Sequence, residues 1–465
     1  MFRLLHKGLF YLLVLLVPVN LAKNFISPNS YVSGVLVDYL IPSIYLTDIL
    51  VLATLALWVV DEFLRLYLFH NFSFKSYALT FKSFFNRRVV IIGYLLLMFI
   101  LSLLFATDFS FAPSFYKFGR YLLFSLLAVY TYFNYSNKDD FNKISTLLAS
   151  SALFQSFISL VQWVNGRSFF NNYLFFGEQP FTYKTPGLVY KDYFGELKLA
   201  PYGTFPHPNV LSGFLVFVLL VLLMYTFKKG LKPLVVCAWL YSLIILLLTK
   251  GSVAIFGFLL GIAFFGLYIG LRFLVVKYVA KGSHSVKEAA VGKLRAALLI
   301  VVVLFFVLIN ALSVYSAVNM GFGSKSHSVY RRVDLINASL KMFGSHPLSG
   351  VGLNKFTLEL NNNGGVRGVI RFIQPVHNIF FLILSECGVV SLTLFCMLLV
   401  SCFYYFSRPR VFLYFVLLFV IVFISNFDHY FLTLQQGQLL FWLTLGMGAS
   451  TIKQDAEIEK SKPKI

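Results

Sequence analysis

The sequence contains little charge and little cysteine, and both shortages narrow the class of protein. Only 12% of its 465 residues are charged, whereas 59% are hydrophobic. Soluble globular domains carry about 25% charged residues, so this composition excludes a soluble domain. The cysteines all fall in apolar stretches, where we expect small buried residues and not a disulfide framework or a thiolate metal site: Cys237, Cys387, Cys396 and Cys402.

Apolar runs of near-membrane length recur along the chain, and such runs are typical of transmembrane helices. Uninterrupted stretches such as 297–309 exclude the alternating pattern of a membrane β-barrel, so we predict an all-α integral membrane protein. The first run lacks a small-residue cleavage site after it, and we expect it to be retained. About twelve transmembrane helices are predicted near 8–26, 42–61, 89–106, 113–134, 142–164, 207–227, 233–249, 252–275, 294–317, 376–405, 411–426 and 430–450.

These spans form one polytopic membrane domain, residues 1–450, followed by a charged cytoplasmic tail, residues 451–465. Two long loops on the extracytoplasmic side are predicted at about 165–206 and 318–375. We find no internal repeat that would divide the domain into two similar halves. The second loop, together with the start of the next span up to residue 390, is the predicted catalytic region.

The net charge of +21 is distributed according to membrane topology. With the N-terminus inside, 24 of the 39 lysines and arginines fall in cytoplasmic segments, as the positive-inside rule expects. Both termini are then cytoplasmic, and the charge gives no reason to expect a nucleic-acid partner. The loop 318–375 departs from this rule, because it lies outside and its basic residues are balanced by only two acidic residues, Asp334 and Glu359. It is either a solvated basic loop or an outward-facing site for an anionic ligand.

An amphipathic helix is predicted near the start of this loop. Arg331 falls on its polar side, and Arg332 lies near the boundary between the two faces, where an arginine can reach lipid phosphates. The apolar residues at helical spacing, which we expect to lie on the membrane or on the helix bundle, are Val329, Val333, Ile336, Leu340 and Phe343.

Three motifs in this order resemble the O-antigen ligase and polymerase family of bacterial membrane enzymes. They are TFPHPN (204–209), the element R-(x)13-HPLSGVGLNKF that begins at Arg332, and HNIFFLILSECG (377–388). The resemblance implies metal-independent, inverting transfer of a glycan from an undecaprenyl-diphosphate lipid to an acceptor, without a cofactor. The reaction would take place at the outer face of the bacterial cytoplasmic (inner) membrane, with the lipid bilayer as surroundings.

The resemblance also implies roles for two residues. His377 would be the catalytic base for the acceptor hydroxyl, and Arg332 would hold the diphosphate of the donor lipid. The chemistry suits both, because imidazole accepts a proton near neutral pH and arginine offers a planar, permanently charged fork. His377 could instead cap the entrance of the span, and Arg331 is a rival of Arg332 for the diphosphate.

The sequence departs from the family at a second arginine that contacts phosphate. The matching position holds Ser252, and Lys250 is the nearest cation, so Lys250 is the predicted substitute. Lys117 and Arg120 are further candidates for this pocket.

Several other polar residues could line the pocket. His207 and Asn209 either shape it or form a turn, and His346 is expected to be structural because Pro347 follows it. Glu386 is expected to serve packing. Asp428 and His429 either join the site or form an ordinary loop pair. No metal site is expected.

The predicted function is glycan transfer from a lipid-linked oligosaccharide to a glycan, lipid or protein acceptor, as in an O-antigen ligase. A lipid-linked glycan polymerase and a protein O-oligosaccharyltransferase of the same family remain open alternatives. A transporter or flippase for an anionic lipid-linked sugar is the alternative from another class, but it should show pseudo-symmetric halves or discontinuous helices. A catalytically inactive scaffold is a third alternative, favoured only by Ser252.

Overall fold

Long helices dominate the computed structural model, which describes residues 1–69, 87–278, 284–319, 327–363 and 373–461. In chain order they are α1 (Phe2–Leu15), α2 (Leu46–Phe69), α3 (Arg87–Phe105), α4 (Ala112–Asn134), α5 (Asp140–Asn165), α6 (Pro208–Lys229), α7 (Pro233–Thr249), α8 (Ser252–Tyr278), α9 (His284–Asn319), α10 (His327–Ser345), α11 (Phe356–Glu359), α12 (Ile379–Phe406), α13 (Phe412–Ser425), α14 (Tyr430–Thr433) and α15 (Gln435–Ser461).

Short antiparallel hairpins interrupt this helical pattern in two connections. The strand pairs are β1 (Ala22–Asn24) with β4 (Ser43–Tyr45), β2 (Tyr31–Val32) with β3 (Val35–Leu36), and β5 (Tyr190–Tyr193) with β6 (Glu196–Leu199). The first two pairs follow α1, and the third lies in the first predicted outer loop. The all-α prediction therefore describes the long elements and misses these strands.

Within the described residues, six helices are long and apolar enough to cross a membrane. They lie at Arg88–Phe105, Asp140–Asn165, Pro208–Lys229, Ser252–Gly270, Ala290–Asn319 and Ile379–Phe406. Two shorter apolar helices, α7 and α13, accompany them. The protein is a helical membrane protein, whereas the number of twelve crossings stays a prediction.

The first predicted span, 8–26, extends beyond the helix that the structure shows. Helix α1 stops at Leu15, and the chain continues through a turn into β1. Pro18 has no backbone N–H and cannot continue a helix. The backbone N–H of Asn20 donates to the carbonyl of Phe176 (3.0 Å), so this segment is tied to the first predicted outer loop.

Helix α13 forms the centre of the bundle. All of its residues are buried, and it packs against α6, α8, α12 and α15. A helix that is apolar on every side is stable only when neighbours surround it or lipid covers it. Helix α15 runs beside it and continues to Ser461, so no break in secondary structure marks the predicted boundary at residue 450.

The HPLSGVG motif is bound to a break in α12. Gly388 interrupts this helix with φ 75° and ψ −178°, although the sequence predicted a continuous span over 376–405. Around the break, Val351 N–H donates to Ser385 O, Gly352 N–H to Glu386 O, and Val389 N–H to Pro347 O, each at 2.9 Å. The motif thus supplies partners for backbone groups that the interrupted helix leaves open. It connects the end of α10 to the middle of α12.

Candidate functional site

A cavity of about 760 Å³ brings together side chains from distant parts of the chain. Seven residues that the sequence analysis proposed line it: Lys117, Arg120, His207, Asn209, Arg331, Arg332 and His377. Asp428 and His429, for which two interpretations were open, also line it. Lys191 and Asp334 belong to the lining as well and were not proposed as site residues.

His377 lies directly before α12, and its neighbour Asn378 fixes the backbone there. The Asn378 side chain accepts hydrogen bonds from the backbone N–H groups of Phe380 (2.9 Å) and Phe381 (3.3 Å). Its amide nitrogen donates to Asn310 Oδ1 (3.0 Å) and to Asn426 O (3.1 Å). Asn378 is therefore a helix cap joined to α9 and to the end of α13, and it holds the His377 backbone in place.

Asp428 and His429 meet His377 across the cavity. The rings of His377 and His429 are in edge-to-face contact, with centroids 5.1 Å apart. Asp428 Oδ1 accepts the backbone N–H of His429 (2.8 Å), and Asp428 Oδ2 accepts Asn209 Nδ2 (3.3 Å). His207 Nδ1 accepts the backbone N–H of Asn209 (3.0 Å), so His207 caps α6 and also orients the residue that contacts Asp428.

The protonation states of this group follow from burial and from its charges. Burial lowers the pKa of the His377 imidazole from 6.5, Arg332 lowers it further, and Asp428 opposes them. Burial also lowers the pKa of His429, to about 3, again against Asp428. Burial raises the pKa of the Asp428 carboxyl, but the three histidines and the His429 backbone N–H outweigh it and keep that pKa low. At neutral pH these imidazoles are therefore unprotonated and lie beside a carboxylate.

Arg331 and Arg332 reach the cavity from α10. Val333 of the predicted apolar stripe is buried, and Ile336 and Leu340 are partly buried against a core cluster that also contains Leu335, Ala338 and Met342. Ser339, also buried, donates to the carbonyl of Phe381 (2.8 Å) and fastens α10 to the first turns of α12. Both arginines line the same cavity as His377. The loop residues Lys325, Arg367 and Arg371 lie outside the described residues.

Lys117 and Arg120 project from α4 into the same cavity, but their surroundings differ. Arg120 forms a buried ion pair with Asp48 (2.9 Å) and donates further to Gln438 Oε1 (3.1 Å) and Tyr116 (3.1 Å). Its charge is already balanced within the protein. Lys117 Nζ donates to the carbonyl of Thr433 (3.2 Å), a neutral partner.

Lys250 and His346 do not belong to the lining of this cavity. Lys250 ends α7 in a left-handed conformation (φ 47°), and its Nζ donates to the carbonyl of Asp192 in the β5–β6 hairpin. The structure thus separates the predicted substitute for the family arginine from His377. His346 is exposed in the turn after α10, where its Nδ1 contacts Ser345 Oγ (3.0 Å).

Glu386 lies at the break in α12 and is not among the residues that line the cavity. Its carboxylate accepts the backbone N–H of Phe356 (3.3 Å), and its own carbonyl accepts Gly352 N–H. The residue thus helps to hold the HPLSGVG segment in place.

One group of described side chains has the composition of a metal site, although the sequence analysis expected none. Ligand atoms of His377, Asp428 and His429 all lie within 4.8 Å of one another. Two imidazoles and a carboxylate are a ligand set suited to divalent transition metals. This group was hard to recognise in the sequence, because about fifty positions separate His377 from Asp428 and His429.

The comparison with protein families gives a match in the part of the chain that carries the HPLSGVG and HN motifs. Residues 235–396 match the family described as O-antigen ligase. The matched range includes Arg331, Arg332 and His377 but ends before Asp428. A search of curated proteins returned no match. The resemblance drawn from the HPLSGVG and HN motifs is therefore confirmed for residues 235–396, the range that matches the O-antigen ligase family.

Proposed function

We propose that the protein transfers a glycan from an undecaprenyl-diphosphate-type lipid to an acceptor hydroxyl at the outer face of the cytoplasmic membrane. The observation that carries this proposal is the shared cavity, in which a basic imidazole lies beside a carboxylate and faces two arginines. These are the groups that glycosyl transfer from a diphosphate needs, namely a base for the nucleophile and fixed positive charge for the leaving group.

The acceptor is activated by His377. Its imidazole takes the proton of the acceptor hydroxyl while the oxygen attacks the anomeric carbon of the donor sugar. The bond from that carbon to the diphosphate oxygen breaks on the opposite side, which inverts the configuration. Asp428, with an oxygen within 4.8 Å of the ring nitrogen, stabilises the imidazolium that forms. Asn209 and the His429 backbone N–H hold this carboxylate in place.

The departing lipid diphosphate is stabilised by the cations of the cavity. Arg332 and Arg331 contribute guanidinium groups, which can bind phosphate oxygens in a bidentate manner. Lys191 adds a further cationic side chain to the same cavity. Arg120 does not take part in this scheme, because Asp48 already neutralises it. Lys250, which the sequence suggested for this role, is replaced here by the pair on α10.

Two alternatives differ from this proposal in the acceptor, and a third, the flippase, catalyses no reaction. A lipid-linked glycan polymerase or a protein O-oligosaccharyltransferase would use the same donor side of the cavity. A flippase would bind the same diphosphate but would have no use for a base beside a carboxylate. The His377–Asp428 arrangement therefore favours a transferase.

The test is glycan transfer in proteoliposomes that contain a lipid-diphosphate oligosaccharide, candidate acceptors and EDTA. We expect transfer by the wild type, and a loss of about 10²–10⁴-fold in His377→Ala, the range for removal of a general base. Arg332→Ala should lose transfer mainly through its weakened interaction with the diphosphate. His346→Ala is the matched control, because this exposed histidine lies outside the cavity and should keep full activity. Movement of the donor across the bilayer without release of lipid diphosphate would refute the transferase and favour the flippase.

A further inference from the structure

The ligand atoms of His377, Asp428 and His429 lie close enough together to approach one shared metal position. Its ligand atoms are at most 4.8 Å apart. Zinc binds imidazole nitrogen and carboxylate oxygen at about 2.0–2.2 Å, so tetrahedral ligand atoms are roughly 3.4 Å from one another. The three side chains would need to approach by only about an ångström, which rotation about side-chain bonds supplies.

Hydrogen bonds behind His429 and Asp428 fix the orientation of two of the three side chains. His429 Nδ1 contacts Thr433 Oγ1 (2.6 Å), and the same hydroxyl donates to the carbonyl of His429 (3.1 Å). Because the hydroxyl proton is used there, Thr433 accepts the Nδ1–H of His429, and the lone pair is left on Nε2. Asn209 orients Asp428 in the same way (3.3 Å). Outer hydrogen bonds of this kind are a regular feature of metal sites with histidine ligands.

We propose that His377, Asp428 and His429 bind a divalent transition-metal ion, Zn²⁺ in the first place, and that the bound ion inhibits the enzyme. Occupancy would engage the imidazole lone pair of His377 that the acceptor proton needs. The fourth coordination position would open onto the cavity and be filled by water. The inhibitory part of this proposal rests on the proposed function, whereas the binding part does not.

The charges around the group limit its affinity. Arg332 acts on His377, so a permanently charged side chain lies near the proposed metal ion. Asp428 supplies the one negative charge among the three ligands. We therefore expect reversible binding that a chelator removes, and not a permanently held structural ion.

Binding is tested by calorimetric titration of ZnCl₂ into the full chain, purified in detergent and stripped with EDTA. Wild type and His346→Ala should each bind one ion with the same affinity. His429→Ala should bind at least about tenfold more weakly, because a ligand is lost. Thr433→Val keeps the side-chain volume and removes the hydroxyl that orients His429, so it should also weaken binding even if His429→Ala folds poorly.

Failure of the proposal has distinct signs. No binding by wild type, or unchanged affinity in both His429→Ala and Thr433→Val, would overturn the site. In the transfer assay, ZnCl₂ should reduce the wild-type rate over the concentrations at which it binds, and EDTA should restore it. Stimulation by Zn²⁺ would overturn inhibition while leaving the site intact. Binding by a wild type that shows no transfer under any condition would uphold the site and count against the proposed function.

Discussion

Replacement of Gly388 by alanine tests whether the break in α12 is essential. This glycine has φ 75° and ψ −178°, a combination that is essentially restricted to glycine. An added Cβ would lie closer than 3.0 Å to backbone atoms of Leu348 and Ser349. Backbone atoms cannot rotate away as a side chain can, so either α12 or the HPLSGVG segment has to move.

The cost of this movement follows from the contacts. The backbone conformation itself costs alanine about 1–3 kcal/mol. Separation of α12 from the motif also breaks the three hydrogen bonds of Val351, Gly352 and Val389, each worth about 0.5–1.5 kcal/mol. The combined loss is roughly 3–7 kcal/mol, a large part of the 5–15 kcal/mol that stabilises a typical protein.

The assay is thermal unfolding of the protein in detergent, followed by size-exclusion chromatography of what remains soluble. Gly388→Ala should show a clearly lower melting temperature and a smaller monodisperse peak. Gly93→Ala is the matched control, because this glycine lies within α3 and its Cβ would meet nothing within 4 Å. The control should be neutral or stabilised by about 0.5–1 kcal/mol. Wild-type stability in Gly388→Ala would refute the steric argument.

Three further predictions concern the cavity. Asp428→Asn should slow single-turnover transfer by at least about tenfold, since about 1.4 kcal/mol less stabilisation of the imidazolium corresponds to that factor; an unchanged rate would remove Asp428 from the mechanism. Arg120→Met should destabilise the protein by about 3–5 kcal/mol, because it leaves the Asp48 carboxylate buried and unpaired. The double variant Arg120→Met/Asp48→Leu should recover part of that loss in thermal unfolding. In EDTA, transfer should persist below pH 6.5 and fall only at lower pH, because burial lowers the pKa of His377 and its neutral form is active. Arg332→Gln should move this fall toward higher pH in a pH–rate profile, and an unshifted profile would contradict the assigned charge effect.

Long apolar helices were predictable from the sequence, because the apolar run that makes a membrane helix consists of consecutive residues. The predicted spans 113–134 and 233–249 agree closely with α4 and α7. The errors fall where tertiary contacts override the local pattern. Helix α1 ends early because the strand that follows it, β1, pairs with β4. The break at Gly388 depends on hydrogen bonds from the HPLSGVG segment.

The site was predictable only where a motif carried it. His377 and Arg332 were found through their resemblance to a family, and the structure brings both to one cavity. Lys250 was chosen because it is near Ser252 in sequence, but it turns toward Asp192. Asp428 could not be assigned, because its partner Asn209 is more than two hundred positions away and only the fold brings them together.

The composition of the cavity wall has a consequence for how this protein can be divided. Residues 235–396 carry the family match, yet the wall also needs Lys117 from α4, His207 before α6 and Asp428 after α13. A fragment limited to the matched range would retain His377 and Arg332 but lose the carboxylate and much of the surrounding bundle. The family domain is thus a unit of sequence and not a unit of structure, and grafting or truncation at its boundaries would separate the base from its partner.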